Sequence, residues 1–178
     1  MTTPRIMILG IGNLLFSDEG FGVRVLQRLM EGYEFPENVS LVDGGVLGLN
    51  LLGVISEADH LIVVDAVRNH GKPGTCYRLE GKAIPERIRA KNSLHQVDFL
   101  EALTLCQALD TQVPETVILG VEPVDIETAS IELTPIVAEQ IEPILQMVFA
   151  ELRRLNVAFS KRTKDVPCDP LKNCEYRT

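Results

Sequence analysis

The feature that most constrains this chain is its opening. Arg5-Ile-Met-Ile-Leu-Gly10 is a short apolar, β-branched run ended by glycine, and Phe21, Val25, Leu26 and Leu29 then recur at helical spacing between Gly20 and Gly32. A strand buried on both faces, a glycine-bounded loop and an amphipathic helix make one β-loop-α unit. Further units follow. Val39 to Val42 reads as a strand, Leu47 to Ile55 as a short helix, His60 to Val64 as a buried strand and Thr75 to Leu79 as an extra edge strand. From Ser93, a plausible N-cap, Val97, Leu100, Leu103 and Leu105 supply a helical face, and Thr116 to Leu119 is the next strand. A last helix is expected from Thr134 to about Leu155, with Pro135 at its first position and a kink at Pro143.

Strands alternating with helices predict an α/β fold with a doubly wound, mostly parallel sheet and helices on both faces, since right-handed crossovers place a helix between successive parallel strands. The 178 residues suit one domain, expected over residues 1–156. Residues 157–178, with Pro167, Pro170, Cys168 and Cys174, show no helical or strand period and are expected to be an irregular or mobile surface tail.

Charge narrows the partners. Of 17 Lys/Arg and 25 Asp/Glu, the last 26 residues hold 7 and 3, so the body carries about −12 and the tail about +4. Such a body repels a phosphate backbone, and nucleic acid is not an expected partner. Apolar runs such as Leu61–Val64 fall far short of the roughly 20 residues a bilayer requires, so no membrane insertion is expected. The N-terminal segment reads as a first strand and not as a signal peptide. Four cysteines, Cys76, Cys106, Cys168 and Cys174, without an export signal suggest a reducing, cytoplasmic setting.

In a parallel sheet, ligands sit beyond the carboxyl ends of the strands, so the residues just after each strand are the candidates for chemistry. Gly10 and Gly12 resemble the start of a dinucleotide fingerprint, but its third glycine would fall at Leu15. Asp18 and Glu19 also stand where a pyrophosphate would have to bind, so the loop suits a cation better than an anion. A plainer alternative is that Asp18 or Glu19 caps the following helix. Asp43 and Asp65 follow the next strands, and His95 begins the helix that could cover the same rim. Two carboxylates and an imidazole are a common ligand set for a divalent transition metal. His60 and His70 read as surface residues. Cys168 and Cys174 complete no zinc pattern. There is no G-x-S-x-G elbow, no H-E-x-x-H helix, and no second loop to pair with Asp43-Gly44-Gly45 as an aspartic dyad.

Taken together, the motifs resemble one family. Gly10-Ile-Gly-Asn-Leu-Leu-Phe-Ser-Asp-Glu-Gly-Phe-Gly-Val23, Asp43-Gly44-Gly45 with Gly48 and Leu51-Leu52, Ile62-Val-Val-Asp-Ala66, Ser93-Leu-His-Gln96, and Gly120-Val-Glu-Pro123 with Glu132-Leu-Thr-Pro135 are similar, in order, to the motifs of the NiFe-hydrogenase maturation proteases. The resemblance spans about residues 5 to 155. Leu49-Asn-Leu-Leu-Gly53 and the cysteine-bearing tail look most like the branch serving uptake hydrogenases, although Val46 stands where many members have threonine.

The resemblance implies a five-stranded sheet and an endopeptidase that removes a short C-terminal extension from the hydrogenase large-subunit precursor after nickel insertion. It also implies that Glu19, Asp65 and His95 match the metal-binding residues, with nickel supplied by the precursor, and that Asp43 serves in substrate recognition or catalysis; on chemical grounds Glu19 or Asp43 could act as the base. A chaperone that binds the metal or the precursor without cutting is the alternative.

Overall fold

A computed structural model describes residues 3–45, 55–81 and 115–162. Strand β1 (Ile6–Ile11) leads through a 3-10 turn (Ser17–Gly20) into helix α1 (Phe21–Gly32) and a two-residue strand β2 (Tyr33–Glu34). Strands β3 (Val39–Gly45), β4 (His60–Ala66), β5 (Cys76–Glu80) and β6 (Glu115–Val121) follow, then helices α2 (Pro135–Ala138) and α3 (Ile141–Arg154) and a short β7 (Ser160–Lys161). The main sheet has five strands in the order β3-β1-β4-β6-β5. All its neighbours are parallel except the edge pair β5–β6, which is antiparallel. The expected α/β fold with a mostly parallel five-stranded sheet is therefore the fold of the chain.

Each strand of the central three is buried along almost its whole length, which is why β1 and β4 read as unbroken apolar runs. On one face Ile6, Ile8, Ile62, Val64, Val117 and Leu119 pack against Phe21, Val25, Leu26 and Leu29 of α1 and Ile144, Val148, Phe149 and Leu152 of α3. Burying one such side chain fully contributes roughly 1.5–3 kcal/mol. The opposite face presents Met7, Leu9, Leu61, Val63 and Ile118, packed with Ile55 and Ala58. The helices expected over Leu47–Ile55 and from Ser93 belong to segments that, apart from Ile55, lie outside the described residues.

Helix α1 approaches the sheet closely enough that only glycine fits at the contact. A Cβ at Gly22 would lie 2.1 Å from the Val64 carbonyl oxygen and 2.4 Å from that of Ile11. Gly22 thus seats the start of the helix on the carboxyl ends of β1 and β4.

The last helical segment differs from expectation. Instead of one helix kinked at Pro143, the chain forms α2, breaks at Glu139–Gln140, and begins α3 at Ile141. Pro143 lies in the first turn of α3, where its missing N–H has no intrahelical acceptor to lose and its ring would clash with a continuing helix at Glu139. Proline sets the new start here and does not bend a continuous helix. Past Asn156 the chain stays packed through Arg162. Phe159 stacks on Phe149 at 4.6 Å, Arg153 lies over the Phe159 ring, and Ser160–Lys161 pairs with Tyr33–Glu34. The remainder of the expected tail, 163–178, with Cys168 and Cys174, lies outside the described residues.

Candidate active site

The sheet order places β3 on one side of β1 and β4 on the other, so successive connections leave β1 in opposite directions and open a crevice at the carboxyl ends of β1 and β4. Register defines that rim. Gly10 of β1 is flanked by Asp43 of β3 and Val64 of β4, and Asp65 pairs with Gly120 of β6. With β1 between them, β3 and β4 run about 10 Å apart.

Glu19 is brought to the same rim by the loop after β1. Gly12 has φ +136°, and a Cβ there would sit 1.8 Å from the Glu19 carbonyl oxygen, so the loop folds back on itself only because position 12 is glycine. The Glu19 amide donates to the Phe16 carbonyl at 2.9 Å. Three residues on, Gly22 rests on the Val64 carbonyl, next to Asp65. Glu19, two residues ahead of α1, is half-buried, and Asp65, near the end of β4, is buried. The third expected ligand, His95, lies outside the described residues, and among the described residues no three His, Cys, Asp or Glu side chains form a metal-sized group.

Asp43 lies inside β3, since the strand runs on past Val42 to Gly45 and bulges opposite Gly10–Ile11. Its Oδ1 accepts the Gly45 amide at 2.9 Å. Burial pushes the Asp43 carboxyl above its ordinary value, and the Gly45 hydrogen bond only partly offsets that.

The two adjacent acids of the first loop separate. Asp18 faces inward with no exposed surface, and its carboxylate is bonded to residues more than a hundred positions along the chain. Its Oδ1 accepts the Thr134 amide at 2.8 Å, and its Oδ2 accepts the amides of Val124 and Asp125 and the Thr134 hydroxyl at 2.9–3.0 Å. The backbone repeats the connection. Ser17 donates to the Ser130 carbonyl, Asp18 to that of Asp125, and Ser130 to that of Leu15. Asp18 thus spends both oxygens on the loop after β6.

Glu122 was not among the expected site residues. Buried just after β6, it accepts the amides of Asn69 and Gly71 and the Tyr77 hydroxyl at 2.8–3.1 Å, which shapes the loop that leaves Asp65 and Ala66. Its signal was present in Gly120-Val-Glu-Pro123, as that of the Asp18 clasp was in Glu132-Leu-Thr-Pro135. His60 lies at the opposite end of the sheet, 3.1 Å from Glu115, and His70 is exposed in the loop after β4, as read from the sequence. Cys76 is half-buried with its thiol against Gln140, and burial pushes that thiol up, which fits an inert cysteine.

The model of the family described as hydrogenase maturation protease matches residues 23–151. The chain belongs to the hydrogenase maturation proteases. A hydrogenase 2 maturation protease of Escherichia coli K12 is 38% identical over 154 residues, covering 86% of this chain and 93% of that one. The hydrogenase expression/formation protein HoxM of Azotobacter vinelandii is 40% identical, covering 93% and 80%. The solved structure of the hydrogenase maturating endopeptidase HybD from Escherichia coli superposes with a TM-score of 0.84 at 36% identity, covering 89% of this chain and 98% of that chain. As a member of this family the chain is a hydrolase, an endopeptidase that processes the hydrogenase large-subunit precursor. No helix among the described residues is long and apolar enough to cross a membrane.

Proposed function

We infer that this endopeptidase removes a short C-terminal extension from the large-subunit precursor only after nickel has been inserted, and that the nickel carried by the precursor is what it recognises. What supports this reading is that Glu19 stands in the loop after β1 and Asp65 near the end of β4, the adjacent strands whose carboxyl ends open the crevice. Carboxylate oxygens suit a divalent ion, and a hydrolase lacking the usual serine and zinc-helix templates must obtain its electrophile or its recognition element elsewhere. Glu19, Asp65 and His95 are the residues assigned to the precursor's nickel. The reaction takes place in the cytoplasm, the reducing setting that the cysteine content suits.

Asp43 is the assigned general base. A carboxylate raised by burial accepts a proton more readily than an exposed one. Asp43 takes a proton from the attacking water, the water oxygen bonds the scissile carbonyl carbon, the carbon–nitrogen bond breaks, and the proton passes to the leaving amine. Two products result, the mature subunit with a new carboxylate and the released peptide. The test is cleavage of nickel-loaded precursor, followed by intact mass, with Glu19→Gln, Asp65→Asn and His95→Ala beside the unaltered protein. Loss of cleavage in all three, with cooperative melting retained, is expected. Unaltered cleavage in all three would remove the assignment. Binding of the precursor without cleavage by the unaltered protein would instead favour a non-cutting chaperone.

A further inference from the structure

We propose that Asp18 is a positioning residue for the nickel-recognition site, holding Glu19 at the rim by clamping the loop after β1 to the loop after β6; this rests on the assignment of Glu19 proposed above. Asp18 is the fully buried acid of the Asp18-Glu19 pair, and the hydrogen bonds to its side chain come from N–H and hydroxyl donors of Val124, Asp125 and Thr134. A carboxylate with this many donors is an anchor with fixed direction. Its own neighbour in sequence is Glu19, whose backbone is pinned on the far side by Gly12. With residues 15–18 bonded to 125–134 and Glu19 bonded to Phe16, Glu19 has little backbone freedom left. The clamp therefore fixes the backbone from which the Glu19 carboxylate projects before any precursor arrives, which lowers the ordering cost of binding.

Asparagine is the discriminating replacement. Both oxygens of Asp18 face donors, so an amide nitrogen in either orientation meets N–H groups and the clamp opens on at least one side. The experiment is a double-mutant cycle on full-length protein, read as Kd for nickel-loaded precursor by interferometry, with melting curves to confirm folding. Asp18→Asn is expected to weaken binding about tenfold where Glu19 is intact, and by no more than about twofold in the Glu19→Gln background, because its effect passes through Glu19. Equal loss in both backgrounds would make Asp18 a purely structural residue, and no loss in either would also overturn the proposal. Should Asp18→Asn fail to fold, Thr134→Val, which removes one donor and keeps the backbone N–H, takes its place. A loss of about two- to threefold confined to the Glu19 background is then expected, and its absence contradicts the clamp. If Glu19→Gln alone changes neither Kd nor cleavage, the assignment of the site itself has failed, a separate outcome.

Discussion

Thr134 gives both its amide and its hydroxyl to the carboxylate of Asp18, 116 residues earlier in the chain, at 2.8 and 3.0 Å. The contact joins the loop after β1 to the loop after β6, across the end of β4 that lies between them in the sheet. The rim of the crevice is thereby one connected unit, and Glu19 is part of it.

Asp43 should govern the acid limb of the cleavage rate. Because burial raises its carboxyl, the rate falls as pH drops through a value above the ordinary Asp range, and Asp43→Asn loses about 100-fold or more in kcat. A pH–rate profile on nickel-loaded precursor checks both. An acid limb at the ordinary carboxylate value, or an active Asp43→Asn protein, argues for a different base.

The same shift has the opposite sign for stability. A carboxyl whose folded value is raised favours the folded state at low pH, and that contribution is lost as pH rises through the folded value. Asp43→Asn should therefore melt no lower than the unaltered protein at pH 7, while the difference closes at acid pH. Thermal melts at the two ends of the range read this directly.

Glu151 tests the far face of the fold. Buried on α3, it holds Arg78 of β5 at 2.6 Å and Arg154 at 2.9 Å, while Arg78 also reaches Glu80 and Arg154 reaches Glu115. Burial pushes the Glu151 carboxyl up, but the two guanidiniums outweigh it and leave it below its ordinary value. Removing it takes one partner from each arginine, and Glu151→Ala should cost about 1–3 kcal/mol because each part-exposed arginine keeps a second partner. A lowered folded value means that the contribution is present above the unfolded carboxyl value and lost as pH falls through the folded one. Urea midpoints of Glu151→Gln and the unaltered protein should converge as pH falls through the lowered Glu151 value.

Gly22 is the tightest steric test. Gly22→Ala drives a methyl against the Val64 and Ile11 carbonyls, lifts α1 from the switch point and should cost about 1–3 kcal/mol or more, with cleavage reduced as well. An equally stable, fully active Gly22→Ala protein would show that helix and sheet are less closely seated.

Much of the sheet was legible because each central strand is an apolar run ended by a glycine or an acid, as Ile6–Gly10 and His60–Asp65 are. The edge strand at Cys76–Glu80 was legible from the glycines around it, which mark where an extra strand can turn. The break before α3 was not, because a proline inside an apolar helical pattern reads alike whether it kinks a helix or stands in its first turn; only the orphan amides of that turn decide. The places of Asp43 and Asp65 near the carboxyl ends of β3 and β4 were legible from the apolar runs before them. Which of Asp18 and Glu19 turns inward was not, since the answer depends on Thr134, in a segment whose position sequence spacing does not fix. Glu122 stayed hidden for the same reason, its partners Asn69, Gly71 and Tyr77 lying on another connection.

Cleavage is predicted to depend on nickel borne by the substrate and read by Glu19 and Asp65. The most direct measurement incubates the purified protein with nickel-loaded and nickel-free large-subunit precursor and follows the intact mass of each. Loss of a C-terminal peptide from the nickel-loaded form alone is the predicted result; equal cleavage of both forms would contradict it.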